Sequence, residues 1–196
     1  MTTSAASSDS VFIACQQILQ QDGSVFSIQW LDLPPALAAE LSSDILLQKY
    51  LAHIRRITGT LVRPTQLDKT VEFRLWRSRV TLLRFHLGKT DAAALTLHIT
   101  GGILVQPGCR RLGQLTLSCE PRNAGTRISL CLSGYYPRLL GGRNPGPMAK
   151  WCYRLTQATI HKLVTVRFLV RLHRERAEKK IPYRLIRVRI RDGEPL

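Results

Sequence analysis

The sequence predicts an α+β fold, an antiparallel sheet of about six to seven strands covered on one face by a long C-terminal helix. Two observations carry this prediction. Between residues 60 and 132, apolar and polar side chains alternate with a period of two in segment after segment. After a Gly/Pro-rich stretch at 141–147, the spacing changes to that of a helix and holds for about thirty residues.

The elements follow in order. Residues 1–8 read as a polar leader. Val11, Cys15, Ile18 and Leu19 fall on one stripe of a short helix, with Asp9 or Ser10 as its cap and Gly23 at its end. The same stretch also fits one strand of a hairpin turning at Asp22 and Gly23, the helix being preferred. Residues 24–31 form a strand by their β-branched and aromatic content, and Pro34 and Pro35 stop it. Helical spacing covers 35–41 and then 43–57, with Ser43 or Asp44 as the second cap and Gly59 just past the end.

From Thr60 onward the period is two. Val71, Phe73 and Leu75 alternate with Glu72, Arg74 and Trp76, and Leu83, Phe85 and Leu87 alternate with Arg84 and His86. The pattern recurs around Leu95, Leu97 and Ile99, around Leu115, Leu117 and Cys119, and around Ile128, Leu130 and Leu132. Turn residues separate these runs at 88–91, 101–102, 107–108 and 122–125. Strands that are apolar on one side only need a cover. The helix at 148–179 supplies it, with Pro147 suited to the first helical position and Met148, Cys152, Leu155, Thr159, Leu163, Val166 and Val170 on one stripe. Glu175 has Arg171 and Lys179 four residues away on either side. At about 1.5 Å per residue such a helix is about 45 Å long, enough to cross a sheet. Residues 181–191 alternate once more, with Ile186, Val188 and Ile190 opposed to Arg187, Arg189 and Arg191.

The totals fit one domain with extensions: 196 residues, 44% hydrophobic and 21% charged. The divisions are a leader and short segment at 1–23, a central domain at 24–176 and a basic extension at 177–196. The Cys15, Cys109, Cys119, Cys131 and Cys152 thiols are scattered, with no Cys-x-x-Cys pair, so neither a disulfide framework nor a zinc site is expected. With no apolar run of bilayer length and no secretory leader pattern, the chain is expected to be cytoplasmic. The net charge of +16 is unevenly spread. Residues 1–50 hold one Lys against five acids, whereas 51–142 and 143–196 each hold fourteen basic residues against four acidic ones.

Strand, two short helices, a run of antiparallel strands and a long C-terminal helix is an order that resembles the START-like, or helix-grip, superfamily. Polyketide cyclases, plant pathogenesis-related proteins and START lipid-transfer domains belong to it. The resemblance covers 24–176. It rests on Asp32 to Pro35 ahead of an Ala-rich helix, on the segments 113–117 and 125–130 as the last hairpin, and on the Gly/Pro hinge before the long helix. It implies a sheet curled around that helix and an apolar cavity between them. It also implies that Phe73, Leu75, Phe85, Leu97, Leu117, Leu130, Leu155, Thr159, Leu163 and Val166 face the cavity, unless they serve as ordinary packing. The segment before residue 24 and the Arg-rich strand after the helix depart from the family's pattern.

Catalytic signatures are missing. Glu72, Glu120, Arg84, His86 and His98 lie on the outward faces of their strands, and His53 reads as a surface or edge residue. No histidine spacing suggests a metal and no Gly-x-Ser-x-Gly is present. Residues 141–146 could cradle a phosphate, but they lack the Lys-Ser/Thr of a P-loop and read as a hinge. No cofactor is expected. Arg167, Arg171 and Arg174 line one helical stripe, and Arg184, Arg187, Arg189 and Arg191 follow, forming an anion-binding surface.

These readings converge on a protein that binds or transports a hydrophobic small molecule or lipid. Its basic surface would dock to an anionic membrane or to a partner, making the protein peripheral at the membrane. A nucleic-acid-associated protein using the Arg-rich face, with non-specific contacts, is the first alternative, and a cyclase-type pocket enzyme is the second. The arginine-rich last strand guards an edge and favours a monomer or weak dimer.

Overall fold

The computed structural model describes residues 10–141, 146–178 and 182–196. The leader, Asp9, most of the expected hinge, Lys179 and Ile181 lie outside the described residues.

Strands β1 (Val11–Leu19) and β2 (Val25–Leu33) open the chain and are followed by helices α1 (Pro35–Ala38) and α2 (Ser43–Ile57). Next come β3 (Val62–Leu67), β4 (Thr70–Leu75), β5 (Thr81–Thr90), β6 (Ala94–Gly101), β7 (Gln114–Arg122) and β8 (Gly125–Tyr135). A helix then runs from Pro147 to Ala177 as α3 (Pro147–Tyr153), a π-helical turn (Arg154–Ala158) and α4 (Thr159–Ala177). Strands β9 (Tyr183–Arg187) and β10 (Glu194–Pro195) follow. One sheet of ten strands results, ordered β10-β1-β2-β8-β7-β6-β5-β4-β3, with β9 also on β1. It has more strands than expected because the segments before residue 24 and after residue 176 join the same sheet.

The first element is a strand, not the preferred helix. Ile13, Cys15, Ile18 and Leu19 are buried, and so are Gln16 and Gln17. The two glutamines made the segment look half-polar, as a surface helix does. Their partners come from the far end of the sequence: Gln16 accepts from the Ile190 and Arg191 amides, and Gln17 Nε2 donates to the Ala158 carbonyl. The hairpin turns at Asp22 and Gly23, where Asp22 Oδ1 accepts from the Ser24 amide and Gly23 takes φ 81°. The last strand pairs within its own chain: β9 runs parallel to β1, with Val11 opposite Tyr183 and Cys15 opposite Arg187.

Helix α2 has its expected span, but its cap is Ser42, whose side chain accepts from the Ile45 amide. Ser43 is buried and its hydroxyl donates to the Asp91 carbonyl, tying the helix to the end of β5. The β7–β8 hairpin closes with Arg122 opposite Gly125. Only glycine fits there, since φ is 154° and a Cβ would meet the Leu33 carbonyl. Register shifts between β2 and β8, β4 and β5, and β5 and β6 are the irregularities that let a sheet bend. Helix α2 packs on β3, β6 and β7, and α4 packs on β2 and on α1 and α2. Leu46, Leu47, Leu95, Leu97, Leu117, Ile128 and Leu169 are among the side chains buried between these layers.

Candidate functional site: a cavity between the long helix and the sheet

The sheet and the long helix do not fill the space between them. A cavity of about 670 Å³ remains, walled by Phe73, Leu82, Leu83, Ile99 and Leu132 from the strands and by Tyr50 and Ile54 from α2. The long helix closes it with Tyr153, Thr156, Gln157, Ile160, His161 and Val164. Ile103, Leu139 and Ile160 line the cavity while being 46%, 46% and 58% exposed, so they form its mouth. Arg138 also borders the cavity, and no Asp or Glu does among the described residues.

The polar groups of the wall are concentrated on the helix side. Tyr135 donates from its hydroxyl to the Leu104 carbonyl at 2.8 Å and accepts from Gln157 Nε2. Burial, with Tyr153 adding to it, holds the Tyr135 phenol far above its ordinary pKa, and burial does the same for Tyr153. Tyr50 is raised to about 12 by burial. His161 is pushed down to about 4 because protein surrounds it, and no described residue hydrogen-bonds its ring. At neutral pH the wall therefore presents an uncharged imidazole, an amide, phenols and a hydroxyl.

The π turn sets which helical residues face inward. It needs carbonyl partners beyond the α-helical ladder, and side chains supply them: Thr159 Oγ1 donates to Arg154 O, Thr156 Oγ1 to Cys152 O, and Gln17 to Ala158 O. The buried stripe is accordingly Tyr153, Ala158, Thr165, Phe168, Leu169 and Leu172, with Gln157 and His161 on the cavity. Of the residues expected to face a cavity, Phe73 lines it, and Phe85 backs Phe73 with ring centroids 5.3 Å apart. Leu97, Leu117, Leu130 and Val166 are buried packing residues, and Leu75 is half-buried at the end of β4. Leu155, Thr159 and Leu163 are exposed: within α4 the inward side runs through His161, Thr165, Phe168, Leu169 and Leu172, and the traced stripe lies to one side of it. The residues that do reach the cavity are Tyr, Thr, Gln and His, which hydrophobic patterning passes over.

Elsewhere the expectations meet mixed outcomes. Glu72, Arg84, His86, His98 and Glu120 point away from the core, Glu72 pairing with Arg74 and Arg84 and lying below its ordinary pKa through those partners despite some burial. His53 is buried, not at the surface, because α4 lays Phe168 over it with ring centroids 5.6 Å apart. All five cysteines are free, and burial raises Cys119 to about 11. Among the described residues no group of His, Cys, Asp and Glu is arranged for a metal ion. No helix among them is long and apolar enough to cross a membrane. Arg184 and Arg187 lie on exposed β9, Arg189 pairs with Asp192, and Arg191 stacks 4.3 Å over the Phe26 ring.

No family model matches the sequence, and no curated protein matches it. Solved structures do. The di-domain ARO/CYC StfQ from the steffimycin biosynthetic pathway aligns with 82% of this chain at TM-score 0.51 and 13% identity. Only 54% of that protein is covered, so this chain spans about half its length. Ara h 8.0201 gives TM-score 0.41 at 13% identity over 75% of this chain and 99% of its own. CalU16 from Micromonospora echinospora gives 0.37 at 16% identity over 86% and 94%. At those two scores nothing is argued from either. The likeness to StfQ is one of fold, and with the sheet-to-helix order described above it shows a helix-grip fold.

Proposed function

We propose that the protein binds an uncharged hydrophobic small molecule or lipid in the cavity between the long helix and the sheet. The observation that carries this reading is the cavity itself. Its volume of about 670 Å³ lies within the range of small-molecule sites, and its wall is apolar apart from a few polar groups on one side. A ligand with one or two oxygens near one end matches that division: its apolar body would face Phe73, Leu83, Ile99 and Leu132, and its oxygens would face His161 and Gln157.

Native mass spectrometry of freshly purified protein tests this directly. Co-purified mass of a few hundred daltons, lost in Leu132→Trp, supports the reading. A bare chain that also fails to bind an apolar dye saturably, with L132W no different, overturns it.

His161 favours a second reading, a pocket enzyme of the cyclase type. A neutral imidazole on the cavity wall can accept a proton from a bound ligand. The reading requires His161→Gln to abolish turnover of a ligand that it still binds. The basic surface belongs to either reading as a docking face for anionic membrane, and attraction to nucleic acid there is non-specific.

A further inference from the structure

Outside the cavity, α2 and α4 border a second concavity of about 910 Å³, open to solvent. Arg56 enters from α2 and Arg167, Arg171 and Arg174 enter from α4, with His53 in the same wall. We infer that this cleft is a binding site for a small phosphorylated anion, separate from the apolar cavity.

Three observations support it. The α4 arginines recur at spacings of four and three, a like-charge row that weakens a helix unless something neutralises it. Glu175 neutralises only part of the row: it pairs with Arg171 at 2.6 Å and with Lys49 at 3.1 Å. Among the described residues no carboxylate pairs with Arg56, Arg167 or Arg174, although Glu178 also borders the cleft. The Glu175 pair holds one guanidinium in place and leaves the others available. Guanidiniums from two helices facing one space suit a group with several anionic oxygens, since each fork can take two of them.

The third observation is His53. It is only 6% exposed, yet both ring nitrogens lack a hydrogen-bond partner. The Val164 carbonyl is near enough to favour the protonated ring but too poorly placed to bond with it. Burial, and then the Arg171 charge, keep the imidazole neutral, so it offers one N–H donor with no acceptor. A buried orphan donor is unfavourable unless a ligand satisfies it. Its ring borders the cleft, so a small shift of the side chain would bring that donor to an anion seated between Arg56 and Arg167.

The probe is pyrophosphate, titrated calorimetrically into the full chain at about 150 mM salt, where diffuse surface attraction is largely screened. Saturable binding is expected, weakened about tenfold or more in R56A/R174A. It should change less than about twofold in R79A/R110A, which removes the same charge from exposed positions away from the cleft. His53→Phe keeps an aromatic ring against Phe168 and should weaken binding several-fold without lowering the thermal midpoint. Co-sedimentation with phosphatidylcholine vesicles containing phosphatidic acid separates the sources. Loss in R56A/R174A alone assigns the site to a lipid headgroup, and vesicle binding indifferent to that variant assigns it to a soluble phosphate. Equal losses in both double variants, or no saturable binding of either probe, overturn the inference while leaving the apolar cavity untouched.

Discussion

A neutral imidazole in the cavity wall gives the protein a defined response to acid. The folded-state pKa of His161, about 4, lies below the value of about 6.5 for an unfolded histidine. Between those values the unfolded chain binds the extra proton, so the contribution to stability is fully present above pH 6.5 and is lost as pH falls toward 4. The expected loss is at most about 3 kcal/mol. Denaturant midpoints from pH 7 to pH 4 should therefore fall less steeply in His161→Gln than in wild type, and parallel slopes would count against it. Tyr135 is the companion case. Tyr135→Phe leaves the Leu104 carbonyl and the Gln157 amide without the hydroxyl between them, with an expected destabilisation of about 1–3 kcal/mol in chemical denaturation. Neither residue could be picked out from the sequence. His161 lies at helical spacing with Gln157 and Tyr153 and looks like part of a wet face, Tyr135 ends a strand, and only the packing of strands and helix turns both inward.

At the scale of elements, the same limit explains what was and was not legible. Strands at 70–75, 94–101, 114–122 and 125–135 could be read because their inward residues are apolar and their outward ones are not. Helix α2 could be read because its apolar face is clear and Gly59 follows it, although its cap is one residue earlier than the sequence predicts. β1 was misread because two of its buried residues, one on each face of the strand, are glutamines whose partners lie more than 140 positions away. The inner face of the long helix was misread because its cavity-facing residues Tyr153, Gln157 and His161 are polar or amphipathic, while Leu155 and Leu163 are exposed; a π turn at 154–158 also changes the phase between α3 and α4. Deleting one residue from 154–158 should restore an even helix and rotate the Pro147–Tyr153 segment by about 100° relative to α4. Tyr153, now 2% exposed, would leave the core, and a loss of about 3–5 kcal/mol, as for removing a large aromatic side chain, is expected in thermal or urea unfolding. An unchanged midpoint would mean that the turn is dispensable.

Across the whole molecule, charge and cavity act independently. A protein at +16 attracts polyanions through its surface at large, and that attraction weakens steeply with salt. Binding to duplex DNA should fall by orders of magnitude between 50 and 200 mM salt and be largely unaffected by L132W, whereas retention of an apolar ligand should show the opposite dependence. Gel shift and native mass spectrometry on the same preparations check both. The overall class, a one-faced sheet under a long helix, was legible because composition and period are properties of long segments. The size of the sheet was not, because the pairings at one of its edges join β1 to β9 and β10, which are far away in the sequence.

Those pairings also determine when the fold can finish during synthesis. Strand β1 leaves the ribosome before every other described element, and β2 can zip onto it at once. Its other side is shared between β9 along Val11–Cys15 and β10 at Ile18 and Leu19. Until residues 183–195 emerge, that edge stays open on a nascent chain whose central strands already have their neighbours. The protein thus carries a built-in waiting period, long relative to hairpin formation, in which its oldest strand is the one a chaperone must shield from neighbouring chains.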